Sequence, residues 1–386
     1  MFSWQLIKPL AVTALLGFIT TAFVNKLYRR LHWLDDPLVQ THPKVIHRYP
    51  VPRGGGLAIA LAIIPAALWF LQLDKHLDGI LAGALFLTIV GVLDDIKNLN
   101  PYLRLAAGLL AALMVVASGI GVPYISNPFQ AGAVINLSSP QIPLYLLGRL
   151  RTIWVWSDLM AIIWIVGTMN FVNWSKGVDG QLPGIVTVAG AVIGLLSLKF
   201  SGDITGHWVT SPENFGLLSL KFSGDVTQWP VIILALILAG AYLGFLPWNF
   251  YPQKIMPGYG AGSLAGYFLA VLAILSGAKL ATAILVLGVQ MMDALYSIVR
   301  RLLAGKSPVW GDRGHLHHKL MDWGWGKRRI AVFYWSISAV LGLLALKLNS
   351  QYKLYTIVLL AVITGGVLLW LNLAAYFLKQ PDRDRL

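Results

Sequence analysis

Residues 354–378, LYTIVLLAVITGGVLLWLNLAAYFL, run for twenty-five positions without a charge. At about 1.5 Å of rise per residue, a helix of this length crosses the roughly 30 Å hydrocarbon core of a bilayer. It is also apolar on every face, which places it in lipid or deep in a core. Ten more apolar runs lie upstream, at 6–24, 56–71, 80–93, 105–120, 153–172, 182–200, 231–246, 264–277, 280–299 and 331–346. The eleven runs predict an all-α polytopic membrane protein, read as one integral-membrane domain over residues 1–386. Composition agrees. Hydrophobic residues make up 57% and charged residues 12%, against roughly 25% charged in soluble proteins, and mean hydropathy is +0.69.

Charge sets the expected orientation. The net charge is +14, with the bases in the gaps between apolar runs, a pattern of topology rather than of nucleic-acid binding. With the N-terminus outside, the inside segments are about 25–53, 94–104, 173–181, 247–261, 300–330 and 379–386. They hold 21 of the 30 lysines and arginines. The bias predicts an N-out, C-in chain of about eleven spans. The first run is followed by Asn25-Lys26-Leu27-Tyr28-Arg29-Arg30 without a small-residue cleavage site, so it reads as a retained helix. Cysteine is absent, which excludes disulfides, thiolate nucleophiles and cysteine metal sites. Most of the fifteen tryptophans sit near run ends and read as interfacial anchors.

Two outside segments stand apart. Residues 194–205, GLLSLKFSGDIT, recur at 216–227 as GLLSLKFSGDVT; two copies read as a local duplication that lengthens an outside loop rather than as a solenoid. Residues 123–146 have almost no charge and read as a short β-hairpin or loop on the membrane.

The polar residues sort to the inside. Asp94-Asp95 closes an apolar run. Carboxylates near hydrocarbon are costly and mark function by default; a divalent ion on a diphosphate, or deprotonation of an acceptor, would use them, and a solvated turn is the alternative. His315, His317 and His318 lie beside Arg313 and Lys319 without a carboxylate in their register, which suits an anion better than zinc, with a basic, pH-responsive loop as the alternative. Asn170 and Asn173 share a helix face, and Asp179 follows with Gly177 and Gly180. Amides in this position would hold a sugar or base, or serve as helix caps. Gly54-Gly55-Gly56 and residues 258–262 match no phosphate-loop fingerprint. Asp293, inside a predicted helix, pairs with a base or serves a buried polar network.

In order along the chain come VPRGGG (51–56), LDDIKN (93–98), MNFVNWSKGVDG (169–180), GFLPWNFYPQKI (244–255), AGSLAG (261–266) and DRGHLHHKL (312–320). The chain resembles the polyprenyl-phosphate N-acetylhexosamine-1-phosphate transferase family over most of its length, and its histidine motif is similar to the branch that uses UDP-GlcNAc. The resemblance implies a bacterial plasma-membrane enzyme that moves a sugar phosphate from a UDP-sugar to a polyprenyl phosphate, releases UMP and starts a cell-envelope glycan. It implies that Asp94 and Asp95 handle the acceptor phosphate, with magnesium at that pair left open. Arg48, Arg53, Asn98, Asn170, Asn173, Asn249 and Arg313 fall at substrate-binding positions, and Asp179, Lys176, His315, His317 and His318 at catalytic ones. The implied partners are the two substrates and the membrane, with a homodimer allowed and nucleic acid excluded.

Two positions depart from the family pattern. Lys176 stands where the second acidic motif has its first aspartate, and Gly260 where a later motif has its magnesium-binding aspartate. The site thereby shifts by three positive charges. A unit pair at 4 Å is worth about 4 kcal/mol at an effective dielectric of about 20. Three readings follow: Lys176 replaces the metal, magnesium binds through Asp94 and Asp95 alone, or the site binds without turnover. The rival class is accordingly a non-catalytic or transport protein that binds lipid- or nucleotide-linked sugar.

Overall fold

The computed structural model describes residues 4–38, 49–127, 129–130, 133–146, 149–199, 229–277, 279–307 and 314–378. Helix α1 (Trp4–Arg30) ends on Arg29 and Arg30. A short antiparallel ribbon of β1 (Leu34–Asp35) and β2 (Val51–Pro52) pairs Asp35 with Val51 and leads into α2 (Gly55–Phe70). Asp74 caps α3 (Lys75–Lys97) by accepting the Leu77 N–H at 2.8 Å. Asn98, in the left-handed region at φ 48°, stops α3 and donates its N–H to Asp94 O. Asn100 then caps α4 (Pro101–Ala117), with Pro101 in the first turn where a missing N–H costs least. Residues 98–100 alone join α3 to α4, so the two helices pack as antiparallel neighbours.

Two hairpins follow. β3 (Tyr124–Ser126) pairs with β4 (Val134–Asn136), and β5 (Gln141–Leu146) with β6 (Arg149–Trp154). Strands therefore occur where a hairpin or loop was expected, and β6 reaches into the start of the run assigned to the fifth span. The remaining elements are α5 (Val155–Trp174), α6 (Gln181–Lys199), α7 (Trp229–Asn249), α8 (Gly258–Leu275), α9 (Leu280–Val286), α10 (Gly288–Leu303), α11 (Leu316–Asp322), α12 (Lys327–Lys347) and α13 (Ser350–Leu378). The duplicated segment lies outside the described residues, apart from its first turn at the end of α6.

The protein is an all-α polytopic membrane protein. Among the described residues, α1, α3, α5, α6, α7, α8, α12 and α13 are long and apolar enough to cross a bilayer, and α2 and α4 are shorter apolar helices. The segment 280–299, expected as one span, is two helices, α9 and α10, that meet at 86°. Hydropathy alone does not register the reason. Gln290, Asp293, Ser297 and Arg301 recur at helical spacing and are buried, while Leu295, Val299, Leu302 and Leu303 of the same helix are exposed. Turning α10 points its polar stripe at the protein and its apolar stripe outward.

Helix α8 is the axis of the bundle and is buried from Gly258 to Ile274, with α2, α3 and α5 packed around it. Three glycines let the backbones meet. A Cβ on Gly56 would lie 2.7 Å from the Gly260 Cα, and one on Gly91 2.8 Å from the same atom. Small residues at such crossings permit close approach where packing, not water exclusion, drives association. On the periphery, α13 exposes Leu359, Val362, Ile363 and Trp370, the surface expected of lipid contact.

Candidate active site

Asp94 and Asp95 occupy the last turn of α3, where the helix dipole disfavours acids. Compensation arrives from outside the helix. Arg104 Nε donates to Asp94 Oδ1 at 2.6 Å and the Leu99 N–H to the same oxygen at 3.1 Å. Arg53 Nη2 lies 3.9 Å from Asp94 Oδ2. Arg104 is itself fixed: its Nη2 donates to Asn98 Oδ1 at 2.9 Å, its guanidinium lies 5.6 Å from the Tyr259 ring centre, and its carbonyl accepts the Tyr259 hydroxyl at 2.8 Å. Asp95 Oδ2 accepts the Tyr28 hydroxyl at 3.3 Å. The second oxygens, Asp94 Oδ2 and Asp95 Oδ1, are buried and have no hydrogen-bond partner among the described residues. A buried carboxylate oxygen left so is costly, and a site that receives a ligand accounts for it.

The turn between α5 and α6 brings a cation to this pair. Lys176 Nζ donates to Asn173 Oδ1 and to the Gly258 carbonyl, both at 2.7 Å. Burial, reinforced by the nearby Arg53 and Arg104 charges, pushes its pKa down to about 7 against the opposing pull of Asp94 and Asp95. Gly258 has φ +64°, and a Cβ there would stand 2.6 Å from Asp95 Oδ1, so the turn requires glycine. The Arg53 segment is fastened to the same turn: Met256 donates its N–H to Pro52 O at 2.8 Å, and Gly55 donates to Met256 O at 3.0 Å.

The histidines approach the same turn at its next residue, Gly177. His315, His317 and His318 are all buried. The His315 and His317 rings stack at 5.6 Å, and those of His317 and His318 are 4.4 Å apart. His317 lies against Gly177, where a Cβ would fall on its ring. Asp293 of α10 supplies the carboxylate missing from the histidine register: its Oδ2 is 3.0 Å from His315 Nδ1, and its Oδ1 accepts the Leu316 N–H at 2.9 Å. This contact holds the ring through Nδ1 and turns Nε2 away from Asp293. Trp174 packs 6.1 Å from His315, with Arg301 over its ring at 5.7 Å.

Other expected site residues are engaged within the protein. Asn249 Oδ1 accepts the Gly180 N–H at 3.0 Å, while its Nδ2 donates to Gln253 Oε1 and Ile255 O. Asp179 pairs with Lys327 at 3.2 Å and accepts the Gln253 N–H at 3.4 Å. Asn170 donates to Val166 O in its own helix at 2.8 Å, and Asn173 and Asn98 hold Lys176 and Arg104 as described. Asn249 and Asp179 thus lock the α5–α6 turn to the α7–α8 turn and set the position of Lys176. Arg48 and Arg313 lie outside the described residues. Sequence reasoning missed Arg104 and Tyr28, counting the first only as a topological charge. A local signal for Arg104 existed, since it lies one helical turn past the α3–α4 connection.

Residues 77–277 match the profile of glycosyl transferase family 4. A probable undecaprenyl-phosphate N-acetylglucosaminyl 1-phosphate transferase of Bacillus subtilis is 25% identical over 354 residues, covering 90% of this chain and 86% of its own. The decaprenyl-phosphate N-acetylglucosaminephosphotransferase of Mycobacterium tuberculosis is 28% identical, covering 94% and 88%. An undecaprenyl-phosphate alpha-N-acetylglucosaminyl 1-phosphate transferase of Thermotoga maritima is 24% identical, covering 91% and 94%. Since the profile spans just over half of the residues and includes both Asp94-Asp95 and the Lys176 turn, the chain belongs to glycosyl transferase family 4.

Proposed function

We propose that this protein transfers N-acetylglucosamine 1-phosphate from UDP-GlcNAc to a polyprenyl phosphate, at the cytoplasmic face of a bacterial plasma membrane, to begin a cell-envelope glycan. The observation that carries the reading is the Lys176–Gly177 turn, whose lysine interacts with the aspartate pair and whose glycine packs against His317 of the histidine trio. The chain then spans the membrane about eleven times, N-out and C-in, with α2, α4 and the bent α9–α10 pair completing the eight long spans.

In this reading an oxygen of the lipid phosphate attacks the sugar-linked phosphorus of UDP-GlcNAc. The bond from that phosphorus to the bridging oxygen breaks, and UMP leaves with that oxygen. Arg53, Arg104 and Lys176 hold the anionic oxygens in a water-poor site, where preorganised charges act most strongly. Asp95, whose Oδ1 has no hydrogen-bond partner among the described residues, takes a proton from the acceptor phosphate. Asp94 positions the two arginines. The histidines, with His315 held by Asp293, face the donor diphosphate and sugar.

The test is UMP release by the detergent-purified protein from UDP-GlcNAc and polyprenyl phosphate, with mass spectrometry of the lipid. The expected product is polyprenyl-diphosphate-GlcNAc. Binding of UDP-GlcNAc without any lipid product would overturn the enzyme reading in favour of a non-catalytic binder.

A further inference from the structure

Five charged side chains converge at the inner ends of α2, α3, α4 and the α5–α6 turn. Two are carboxylates, Asp94 and Asp95; three are cations, Arg53, Arg104 and Lys176. With all five ionised the cluster carries one net positive charge before any substrate arrives. A divalent ion placed among them would face Arg53, Arg104 and, below about pH 7, the Lys176 ammonium.

The donor set points the same way. Magnesium seeks hard oxygens in a near-octahedral shell and relies on one or two protein carboxylates plus substrate phosphates. Two oxygens near this pair that suit a cation, Asn173 Oδ1 and Gly258 O, already receive the Lys176 ammonium at 2.7 Å. Arg104 and the Leu99 N–H hold one oxygen of Asp94, and the Tyr28 hydroxyl holds one of Asp95, so the open oxygens are Asp94 Oδ2, 3.9 Å from Arg53, and Asp95 Oδ1, against Gly258. Among the described residues, no group of three or more histidine and acidic side chains is placed to hold a metal.

A third carboxylate would be crowded at the inner end of α8. A Cβ on Gly260 would stand 3.1 Å from the Gly56 Cα and 3.4 Å from the Gly91 Cα, both backbone atoms of helices packed on it. With only two open carboxylate oxygens, set among cations, the residues present do not supply the acidic ligand set of the magnesium ion that the resemblance implies. They do fit a tethered monovalent cation, held by two neutral oxygens at the edge of a carboxylate pair.

We infer that the Lys176 ammonium is the resident cation of this site, neutralising the diphosphate of a nucleotide sugar in place of a divalent ion, so that binding and transfer are independent of added metal. This rests on the transferase reading for its catalytic half alone, because anion binding is measurable without turnover. Lysine acts here as a point charge, with Asn173 and Gly258 aiming its remaining N–H.

The experiment measures two quantities on the full-length protein in detergent, with and without EDTA and across a series of magnesium chloride concentrations. One is UDP affinity by calorimetry; the other is UMP release from UDP-GlcNAc and polyprenyl phosphate. Both are expected to change by less than about twofold on chelation. Lys176→Met should weaken UDP binding and slow UMP release by about a hundredfold or more, with no rescue by magnesium. Lys176→Arg, which keeps the charge, should retain part of both, and its thermal midpoint serves as the check that a loss is not unfolding.

Loss of UMP release on chelation, restored by magnesium, would overturn the inference and leave the transferase reading intact. Absence of UMP release under every condition, with UDP binding that ignores EDTA and fails in Lys176→Met, would overturn the transferase reading and support the cation assignment. UDP binding that requires magnesium, or that survives Lys176→Met unchanged, would overturn the assignment.

Discussion

The two ends of α3 both carry aspartate, with opposite consequences. At the N-terminus Asp74 stands where the helix dipole welcomes an acid, accepts the Leu77 N–H and pairs with His76 at 3.1 Å. Burial raises its pKa, yet the hydrogen bonds from His76 and Leu77 outweigh that and leave it below the usual carboxylate value. At the C-terminus Asp94 and Asp95 stand where the dipole opposes them, and Arg53 and Arg104 are brought to Asp94 from outside the helix. An acid in a favourable place ends a helix neatly. Acids in an unfavourable place, attended by imported cations and left with two oxygens lacking hydrogen-bond partners among the described residues, mark a candidate site.

Substitutions can break that contrast. Asp95→Asn is expected to cut UMP release about a thousandfold while the thermal midpoint holds; wild-type turnover would remove the acidic end of α3 from the mechanism. Arg104→Ala leaves buried Asp94 without its principal partner and should lower stability by about 3 kcal/mol in denaturant titration, with activity lost as well. Gly260→Ala tests the junction that seats α3 on α8. Crowding against Gly56 and Gly91 should cost about 2 kcal/mol, read as a lower thermal midpoint.

A pH profile sharpens the comparison further. Lys176, faced by Arg53, Arg104, Asp94 and Asp95, is held near 7, so it is charged below that pH and neutral above it. UDP affinity in the free protein should therefore fall as pH rises through about 7, by up to about tenfold per unit, and Lys176→Arg should abolish that limb. The smallest effect belongs to the other end of α3. Asp74→Ala should cost about 1 kcal/mol of stability as a lost cap and leave turnover unchanged.

Much of this was legible along the chain. The apolar runs announced the helices because hydropathy is a local property, and all but one of the eleven runs correspond to a single helix. The exception, 280–299, failed for a definable reason: average hydropathy does not say which way a polar stripe faces, and burying Asp293 and Ser297 bends the chain at Leu287. The polar clusters were likewise visible as motifs. The carboxylate partner of the histidines was not, because Asp293 lies 22 residues before His315 and meets it only through the turn of α10. Asn249 read as a substrate contact, yet its amide is bonded to Gly180, Gln253 and Ile255.

By itself the sequence determined the solvent of this protein and the inventory of its chemistry. Apolar runs of about bilayer length, one of them uncharged over twenty-five residues, demand helices in lipid, and each polar motif names its own functional groups. Only the tertiary structure decided which charges meet. Lys176 reaches a carbonyl 82 residues away and Arg104 folds back onto Asp94, and such pairings are fixed by helix packing around Gly56, Gly91 and Gly260. Charge interactions depend on distance in space, and distance along the chain does not report it.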